Sequence, residues 1–278
     1  MTQEKRPVTL ITGASSGIGA ALAHEFAANG HELVLIARRE QVLAALADAI
    51  AAKGASRPTV LPADVARADA TQAIAEALDR LGLEPDVVVN NAGFGLLGAA
   101  DTLDRAEQLA MIDLNARTLT DLSLRWIDSV TRHRGGILNV ASLAGFIPGG
   151  PNMAVYFATK AYALSFSEAL HSELKPKGVR VTVLAPGPVP TEFQGRAGIR
   201  PRKRDLLTVS PERAAREGYA GFARGRRVVV PGLGNKFVAF LPRIMPRSLI
   251  LSVIHASQSR RAKPKEAGWP RRRPESSG

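Results

Sequence analysis

Thr12-Gly13-Ala14-Ser15-Ser16-Gly17-Ile18-Gly19 follows the first apolar run of the chain and opens its first stretch of helical periodicity. Glycines at such a turn let the backbone bend tightly and approach a ligand closely. The free N–H groups and positive dipole of the helix start can hold a pyrophosphate. The turn therefore predicts a dinucleotide site at Gly13, Ser15, Ser16, Gly17, Ile18 and Gly19. The spacing is G-x3-G-x-G rather than G-x-G-x-x-G, and a plain turn that uses glycine for steric reasons is the alternative.

The rest of the chain repeats the order of strand and helix. Apolar runs predict strands at Val8–Thr12, Glu32–Ala37, Thr59–Pro62, Val87–Asn90, Gly136–Ala141, Arg180–Leu184 and Arg227–Val230, and helical periods fall at 17–29, 40–53, 68–81, 104–132, 153–175 and 211–224. Strands that are apolar along their whole length are covered on both faces. The alternation implies right-handed crossovers between parallel strands. We expect an α/β fold, a doubly wound Rossmann fold with a parallel sheet of about seven strands and helices on both faces.

Composition excludes several other classes of site. The 278 residues include no cysteine, so disulfides, thiolate metal sites and cysteine nucleophiles are excluded. The five histidines are scattered without ligand spacing, so no metal site is expected. No apolar run is long enough to span a bilayer, and the first ten residues do not resemble a signal peptide. A cytoplasmic protein is therefore expected.

Charge is distributed unevenly along the chain. Residues 1–195 hold 17 Lys/Arg and 20 Asp/Glu, whereas residues 196–278 hold 20 Lys/Arg and 5 Asp/Glu. We expect one Rossmann-type domain over 1–262, with a substrate lid at 191–208, an apolar and basic extension at 234–262, and a disordered basic tail at 263–278. No motif for nucleic acid accompanies the basic residues, so nucleic-acid binding is not expected.

The lid and the extension each leave alternatives open. The basic residues of the lid, Arg196, Arg200, Arg202, Lys203 and Arg204, either attract an anionic substrate or carrier or lie in a solvated mobile loop. The extension has Leu241, Ile244, Met245, Leu249 and Leu251 interleaved with Lys236, Arg243 and Arg247. It could pack on the core or on a second subunit, which we favour, or lie on a membrane surface.

The end of the second strand indicates which nucleotide is bound. A carboxylate at this place would bond a ribose 2′-hydroxyl, whereas a cation suits a 2′-phosphate. The strand ends in Ala37-Arg38-Arg39, with no acid. Arg38 can bind a phosphate with its guanidinium fork and stack on adenine. NADP(H) is therefore the expected cofactor, and a pair of solvated arginines is the alternative.

Tyr156 and Lys160 lie four residues apart at the start of a predicted helix, so they share one helix face. The pKa of a free tyrosine, about 10, is too high for efficient proton exchange at neutral pH. A nearby ammonium favours the phenolate and would lower that pKa. The pair therefore predicts a general acid or base. By itself the Y-x-x-x-K pattern is also compatible with an ordinary amphipathic helix.

Ordered motifs along about 180 residues resemble the short-chain dehydrogenase/reductase family. The matches are the glycine turn, Asp64-Val65 after the third strand, Asn90-Asn91-Ala92-Gly93 after the fourth, Asn115, Ser142 after the fifth, Tyr156 and Lys160, Pro186-Gly187 after the sixth, and Thr191. The resemblance implies that Ser142, Tyr156, Lys160 and Asn115 are catalytic. It also implies that Asp64, Val65, Asn91, Ala92, Gly93, Tyr156, Lys160, Pro186, Gly187 and Thr191 contact the cofactor.

The same resemblance implies a role for each catalytic residue. Ser142 would bond the substrate oxygen, Tyr156 would transfer the proton, Lys160 would lower the tyrosine pKa and hold the nicotinamide ribose, and Asn115 would keep a relay water. Val228-Val229-Val230-Pro231-Gly232 and the basic apolar stretch after it resemble a reductase branch that prefers NADP. Family members often form homodimers or homotetramers through helices near 104–132 and 153–175.

The resulting hypothesis is an NADPH-dependent oxidoreductase that converts a small-molecule ketone or aldehyde into an alcohol, or the reverse. A catalytically silent NADP(H)-binding scaffold or sensor with the same fold is the alternative. Ser142 and Tyr156 are separated by 14 residues, through a Gly149-Gly150-Pro151 loop that is longer than usual for the family. The loops at 94–101, 143–153 and 191–208 would determine the substrate, which the motifs do not specify.

Overall fold

Seven strands form one sheet in the computed structural model of the protein, which describes residues 5–198 and 207–259. The strands are β1 (Arg6–Thr12), β2 (Leu33–Ala37), β3 (Thr59–Pro62), β4 (Leu83–Asn90), β5 (Gly136–Val140), β6 (Arg180–Leu184) and β7 (Val228–Val229). They lie in the order β3-β2-β1-β4-β5-β6-β7, and every neighbouring pair is parallel. The predicted parallel, doubly wound sheet is therefore confirmed.

The strand order reverses between β1 and β4. From β1 the chain moves outward to β2 and β3, and it then returns to the other side of β1 to form β4. The two strands are in register with Ile11 beside Val89, so their carboxyl ends, Thr12 and Asn90, lie at the same edge. Ligands of open parallel sheets bind in the crevice at such a reversal.

Successive residues of the central strands pack into opposite apolar layers, because side chains alternate between the two faces of a strand. Leu10 and Val88 belong to one buried cluster. Their chain neighbours Ile11 and Val89 belong to the other. Burial on both faces explains why these strands are apolar throughout rather than alternating in polarity.

Eleven α-helices occur among the described residues: α1 (Gly17–Ala28), α2 (Glu40–Ala51), α3 (Ala70–Arg80), α4 (Arg105–Ile112), α5 (Leu119–Arg125), α6 (Ile127–Arg132), α7 (Ala154–Leu174), α8 (Glu192–Arg196), α9 (Pro211–Ala223), α10 (Leu233–Phe240) and α11 (Arg247–Ser259). Residues of α1, α2 and α9 fill the cluster on one face of the sheet. Residues of α3 to α7 fill the cluster on the other face. Helices therefore cover both faces, as predicted.

The helical stretch predicted at 104–132 is confirmed, but it is not one regular α-helix. The chain forms α4, a π-helical turn over Asp113–Thr118, then α5 and α6, with a non-helical residue, Trp126, between the last two. The π-helical turn includes Asn115. The side chain of Asn115 is buried and forms hydrogen bonds with the backbone N–H and carbonyl groups of Phe94. π-Helical turns inside α-helices are frequent at functional sites.

The segments after β6 and β7 are more helical than the sequence predicted. The first part of the expected lid, 191–208, forms α8, while residues 199–206, with Arg200, Arg202, Lys203 and Arg204, lie outside the described residues. The extension forms α10, a 3₁₀ turn over Leu241–Arg243, and α11. The tail predicted at 263–278 also lies outside the described residues. Within the described ranges, no helix has both the length and the hydropathy required to cross a bilayer.

Candidate functional site

The glycine turn between β1 and α1 has a backbone that only glycine fits well. Gly13 and Gly17 adopt left-handed conformations, with φ of 66° and 55°. A Cβ atom on Gly19 would lie 2.3 Å from the carbonyl oxygen of Gly13. The backbone conformation and the close contacts of the turn therefore require glycine at these three positions. Because glycine has no side chain, the backbone of the turn is accessible to a ligand there.

A hydrogen-bond network joins the glycine turn to the turn after β4. The hydroxyl of Thr12 accepts from the backbone N–H groups of Asn91 and Ala92, each at 3.1 Å. The side-chain amide of Asn91 donates in return to the carbonyl oxygens of Thr12 (3.0 Å) and Gly13 (3.2 Å). These bonds hold Asn91, Ala92 and Gly93 against the glycine turn, at the point where the strand order reverses.

The start of α1 has the properties of an anion site. Ser16 is the N-cap, and its side chain makes no capping hydrogen bond to the helix. The first N–H groups of an α-helix have no partner within the helix. Gly17, Ile18 and Gly19 occupy these first positions, beside the crevice. The backbone there can donate to phosphate oxygens without interference from side chains.

A cavity of about 570 Å³ lies beyond the carboxyl ends of β2 and β3. Arg38 and Asp64 line it, together with Arg67 and Arg80. The carboxylate of Asp64 accepts a hydrogen bond from the backbone of Ala66 (3.1 Å), which fixes its position. The buried Val65 is held through its carbonyl oxygen, which accepts from the hydroxyl of Thr118 at 3.0 Å. A second carboxylate in the lining, that of Asp69, is paired with Arg67 at 2.8 Å, so Arg38 and Arg80 are the other cations of the cavity.

Arg39 and Glu192 connect the glycine turn to α8, and the sequence motifs did not single out either residue. Arg39 donates to the hydroxyl and carbonyl oxygens of Ser15 (3.1 and 3.2 Å) and to both carboxylate oxygens of Glu192 (3.2 and 2.8 Å). Hydrogen bonding to Arg39 holds the pKa of the Glu192 carboxyl below its usual value. The sequence does show two arginines after the second strand, but it favours Arg38 as the phosphate ligand and gives Arg39 no role.

Tyr156 and Ser142 meet in a buried position at the edge of the sheet. Ser142 follows β5, and its side chain hydrogen-bonds with the hydroxyl of Tyr156, near the start of α7. Burial raises the pKa of Tyr156 to about 12, and the hydrogen bond with Ser142 acts against this rise. At neutral pH the side chain is therefore a neutral phenol.

Lys160 lies one turn further along α7 and is also buried. Its Nζ atom donates to the carbonyl oxygen of Val140 at 3.0 Å and lies 6.0 Å from the centroid of the Tyr156 ring. Burial lowers the pKa of Lys160 to about 8. Desolvation is the largest influence on the pKa of Tyr156 in this structure, and the lowering expected from Lys160 stays a prediction.

Asn115 is locked in place by its side-chain amide. Its Oδ1 atom accepts from the backbone of Phe94 (3.1 Å), and its Nδ2 atom donates to the carbonyl oxygen of Phe94 (2.9 Å) and to the hydroxyl of Thr159 (3.1 Å). A Cβ on Gly93 would lie 2.9 Å from Asn115 Oδ1 and 3.5 Å from Lys160 Nζ. Asn115 and Lys160 therefore both adjoin Gly93, and both amide hydrogens of Asn115 are already used.

Pro186, Gly187 and Thr191 lie on the segment that leaves β6. The carbonyl oxygen of Pro186 accepts from the backbone of Leu143 at 2.8 Å, beside Ser142. Thr191 lies over the glycine turn, since a Cβ on Gly17 would be 2.7 Å from its methyl group. The structure thus places every motif residue around the carboxyl edge of the sheet.

Aromatic side chains from two loops border Tyr156. Its ring centroid is 5.5 Å from that of Phe193, on α8. The guanidinium of Arg196 lies 4.1 Å from the ring centroid of Phe94, at a distance typical of cation–π contacts. Phe193 and Phe94 were missed, since isolated phenylalanines carry no motif. Phe193 therefore forms a wall beside the Tyr156 ring, while Phe94 is covered by Arg196.

A parallel sheet with a glycine-lined crevice at its order reversal, and a buried Tyr–Lys pair beside it, is the architecture of nucleotide-dependent oxidoreductases. The short chain dehydrogenase family model matches residues 7–200. A sulfoacetaldehyde reductase of Chromohalobacter salexigens is 39% identical over 186 residues, which cover 66% of this chain and 72% of that protein. The chain belongs to the short-chain dehydrogenase/reductase family.

Solved structures agree with this assignment. A short-chain dehydrogenase from Sphingobium yanoikuyae in complex with NADPH is 31% identical, with a TM-score of 0.75 and coverage of 96% of this chain and 100% of that chain. A 3-ketoacyl-(acyl-carrier-protein) reductase from Brucella melitensis, complexed with NADH, is 26% identical, with a TM-score of 0.68 and coverage of 83% and 99%. The family is one of oxidoreductases with a nicotinamide nucleotide cofactor.

Proposed function

We propose that the protein is an NADP(H)-dependent oxidoreductase that reduces a ketone or aldehyde to an alcohol, or catalyses the reverse reaction. The observation that carries the proposal is the hydrogen bond between the partly buried Ser142 and the buried Tyr156, with the buried Lys160 on the next turn of the same helix. Lys160 lies beside Gly93 and Tyr156 beside Gly95, on the segment that follows the turn bonded to the glycine turn.

Tyr156 acts as the proton donor in reduction. A carbonyl oxygen gains negative charge as its carbon is reduced, and a donor that is already in place stabilises that charge. The phenol carries its proton at neutral pH and can release it to the more basic oxygen that forms as the carbonyl carbon is reduced. Burial, which raises the pKa of Tyr156 to about 12, opposes this release, and the hydrogen bond with Ser142 acts against the rise. Ser142, bonded to the same hydroxyl, can donate to the same oxygen.

Lys160 supports the proton transfer without contacting the substrate. With a pKa of about 8, its amine is mostly protonated at neutral pH. An ammonium group near the ring attracts the phenolate that remains after the proton has moved. Its bond to Val140 holds the group in position, and it leaves further N–H donors free to bind a ribose hydroxyl.

The residues present fit a dinucleotide. Three glycine positions leave no room for a Cβ against the neighbouring backbone or side chains, and the uncapped start of α1 offers N–H donors to phosphate. The cavity lined by Arg38 and Asp64 has room for an adenosine group. The nicotinamide would lie near Tyr156, Lys160 and Thr191, where the bound cofactor supplies or accepts the hydride.

The preference for NADP(H) rests on Arg38. It lines the cavity beyond β2, which Arg80 also lines, together with Arg67 in an ion pair with Asp69. Asp64, which shares the cavity, follows β3 rather than β2. A guanidinium group binds a phosphate in bidentate fashion, and this interaction favours a nucleotide with a 2′-phosphate.

The catalytic assignment is tested by comparing two tyrosines of α7. Tyr156→Phe removes the transferable proton and should lower kcat by about 100-fold or more on any accepted ketone. Tyr162→Phe is the matched control, because Tyr162 is exposed and its hydroxyl only bonds to Thr120. Turnover is followed by the absorbance of the reduced nicotinamide. Wild-type turnover in Tyr156→Phe would refute the assigned mechanism.

The cofactor assignment is tested with an arginine pair. Arg38→Ser should weaken NADPH binding about tenfold or more, since a charge-assisted hydrogen bond is lost, and should leave NADH binding nearly unchanged. Arg57→Ser is the control, because Arg57 forms only a surface ion pair with Asp48. Titration of the nucleotide fluorescence gives both dissociation constants. Equal losses for NADPH and NADH would contradict the role of Arg38.

Exposed apolar side chains on α4, α5 and α7 support a homo-oligomer. Leu109, Ile112, Leu124 and Tyr162 all have more than two fifths of their surface exposed. They lie on the two helical stretches at 104–132 and 153–175, which we propose as the contact between copies. Light scattering should give a multiple of the 29.5 kDa chain mass, and a monomer at micromolar concentration would contradict this.

A further inference from the structure

The last two helices present apolar side chains to solvent. Six of the large hydrophobic side chains that are exposed in the described residues fall within 21 positions: Leu233, Phe237, Phe240, Ile244, Leu249 and Val253. Together they form what we call the C-terminal surface. On α10 they recur at intervals of four and three, and on α11 at an interval of four, so they form a stripe on each helix. Leu233 and Ile244 are 79% and 66% exposed.

The opposite sides of both helices are anchored to the core. On α10 the buried Asn235 donates to the carbonyl oxygens of Pro231 (2.8 Å) and Leu207 (3.0 Å). On α11 the buried Ile250 and the half-buried Ile254 face inward, and Ile254 packs on the cluster that contains Tyr156. The expectation that the extension packs on the core is therefore met by one face only. The exposed stripes are a second, unpartnered face.

The charged residues of α10, α11 and the segment between them are all basic. One carboxylate, that of Glu217, adjoins the start of α10, where it accepts from the backbone of Gly232 at 3.3 Å. Residues 218–265 contain ten Lys/Arg and no Asp or Glu. Lys236, Arg243 and Arg247 are exposed between the apolar side chains of the C-terminal surface. Lysine and arginine on an amphipathic helix favour the anionic headgroups of a bilayer, while apolar side chains enter the acyl boundary.

A second copy of the chain fits this surface less well. A symmetric contact would bring Lys236, Arg243 and Arg247 close to the same residues of the other copy, with no carboxylate from these helices to neutralise them. The exposed apolar side chains of α4, α5 and α7 provide a separate surface for contact between copies. The geometry points to docking of the C-terminal surface on an anionic phospholipid bilayer, as a peripheral contact that does not span it.

The loop between Ser142 and Tyr156 contacts α11 on the side away from its exposed stripe, since Leu251 is two positions from both Leu249 and Val253. A Cβ on Gly149 would lie 3.2 Å from the side chain of Leu251, on α11. The loop over 147–153 and α11 are thus in contact. The docking does not rest on the proposed function, because it is argued only from the exposed side chains and charges of α10 and α11.

The test is flotation of the full chain with vesicles of phosphatidylcholine, and of phosphatidylcholine mixed with phosphatidylglycerol in equal amounts. The wild type should partition onto the anionic vesicles and only weakly onto the neutral ones. Lys236→Gln/Arg243→Gln/Arg247→Gln should lower the partition coefficient on the order of 100-fold, because each cation near an anionic surface contributes a factor of about five. Phe237→Ser/Phe240→Ser should lower it by at least about tenfold. These substitutions replace exposed side chains, and an unchanged Tm checks the fold.

Val42→Ser/Leu81→Ser is the control, since both side chains are exposed and apolar but lie elsewhere, and it should float like the wild type. Absence of wild-type flotation on both vesicles would overturn the proposal. Wild-type flotation of both test variants would also overturn it, by assigning lipid binding to another surface. A fall in oligomer mass for Phe237→Ser/Phe240→Ser, without any vesicle binding by the wild type, would assign the surface to a second copy. None of these readouts depends on activity, so they can fail while the proposed function holds.

Discussion

Replacing Lys160 by Met measures what it costs to bury the ammonium group. In the folded protein burial lowers the pKa of Lys160 from 10.5 to about 8, whereas in the unfolded chain the side chain is in water. Between these two pH values the unfolded state binds more protons than the folded state. The free energy of unfolding therefore rises with pH in this window, because stability increases wherever the unfolded state holds the extra proton.

The magnitude follows from the two pKa values. Integration from pH 7 to pH 10 gives a gain of about 2.5 kcal/mol for the wild type, which a Met side chain of similar length does not share. At pH 7 the Met variant does not have the free-energy cost of burying an ammonium group. It also lacks the hydrogen bond to Val140, and this loss lowers its stability by an amount that is nearly the same at both pH values. The stability difference between the two proteins should thus change by about 2.5 kcal/mol in favour of the wild type.

The assay is urea unfolding of the cofactor-free protein, followed by circular dichroism at pH 7 and pH 10 for both proteins. The other titrating groups are common to both proteins and cancel in the double difference. A difference that stays constant between the two pH values would refute the reasoning, because it would mean that Lys160 titrates in the fold as it does in water.

Three further predictions concern the same site. Gly19→Ala should destabilise the fold by about 2 kcal/mol or more and weaken nucleotide binding, because its Cβ would overlap the carbonyl of Gly13, whereas Gly195→Ala, with open space around it, should be neutral in thermal melts and titrations. Asn115→Ala should cost roughly 2–4 kcal/mol in urea unfolding, since buried partners lose their hydrogen bonds, and a smaller loss would show that the π-helical turn does not need the amide. Ser142→Ala should lower kcat about 100-fold with little change in NADPH affinity, and a change confined to KM would argue against a role in transition-state stabilisation.

The sheet could be predicted from the sequence because its central strands are buried on both faces. Val87-Val88-Val89 and Leu33-Val34-Leu35-Ile36 are apolar throughout, and such short runs between regular helical stretches are typical of the inner strands of a parallel sheet. Strand lengths were less certain. β4 begins at Leu83, whereas the sequence predicted Val87. The prediction started too late because the half-buried Glu84 and Asp86 interrupt the apolar pattern in the first half of the strand.

The motif residues were predictable because each is required by a local backbone or chemical demand. The π-helical turn over Asp113–Thr118 was not, since the Asn115 side chain on it bonds to Phe94, which is distant in sequence. The same holds for Arg39 and Glu192, whose pairing across 153 positions brings α8 onto the glycine turn. The high pKa of Tyr156 was also missed, because a spacing of four residues does not reveal how deeply the phenol is buried.

Transfer of deuterium from 4-deuterated NADPH tests the central claim most directly. The purified protein is incubated with the labelled cofactor and a panel of steroid ketones, acyl thioester ketones and small aldehydes, and the products are analysed by mass spectrometry. We expect deuterium on the carbinol carbon of at least one product, and its loss in Tyr156→Phe. Tight NADPH binding with no label in any product of the panel would contradict the account and would favour a silent nucleotide-binding protein.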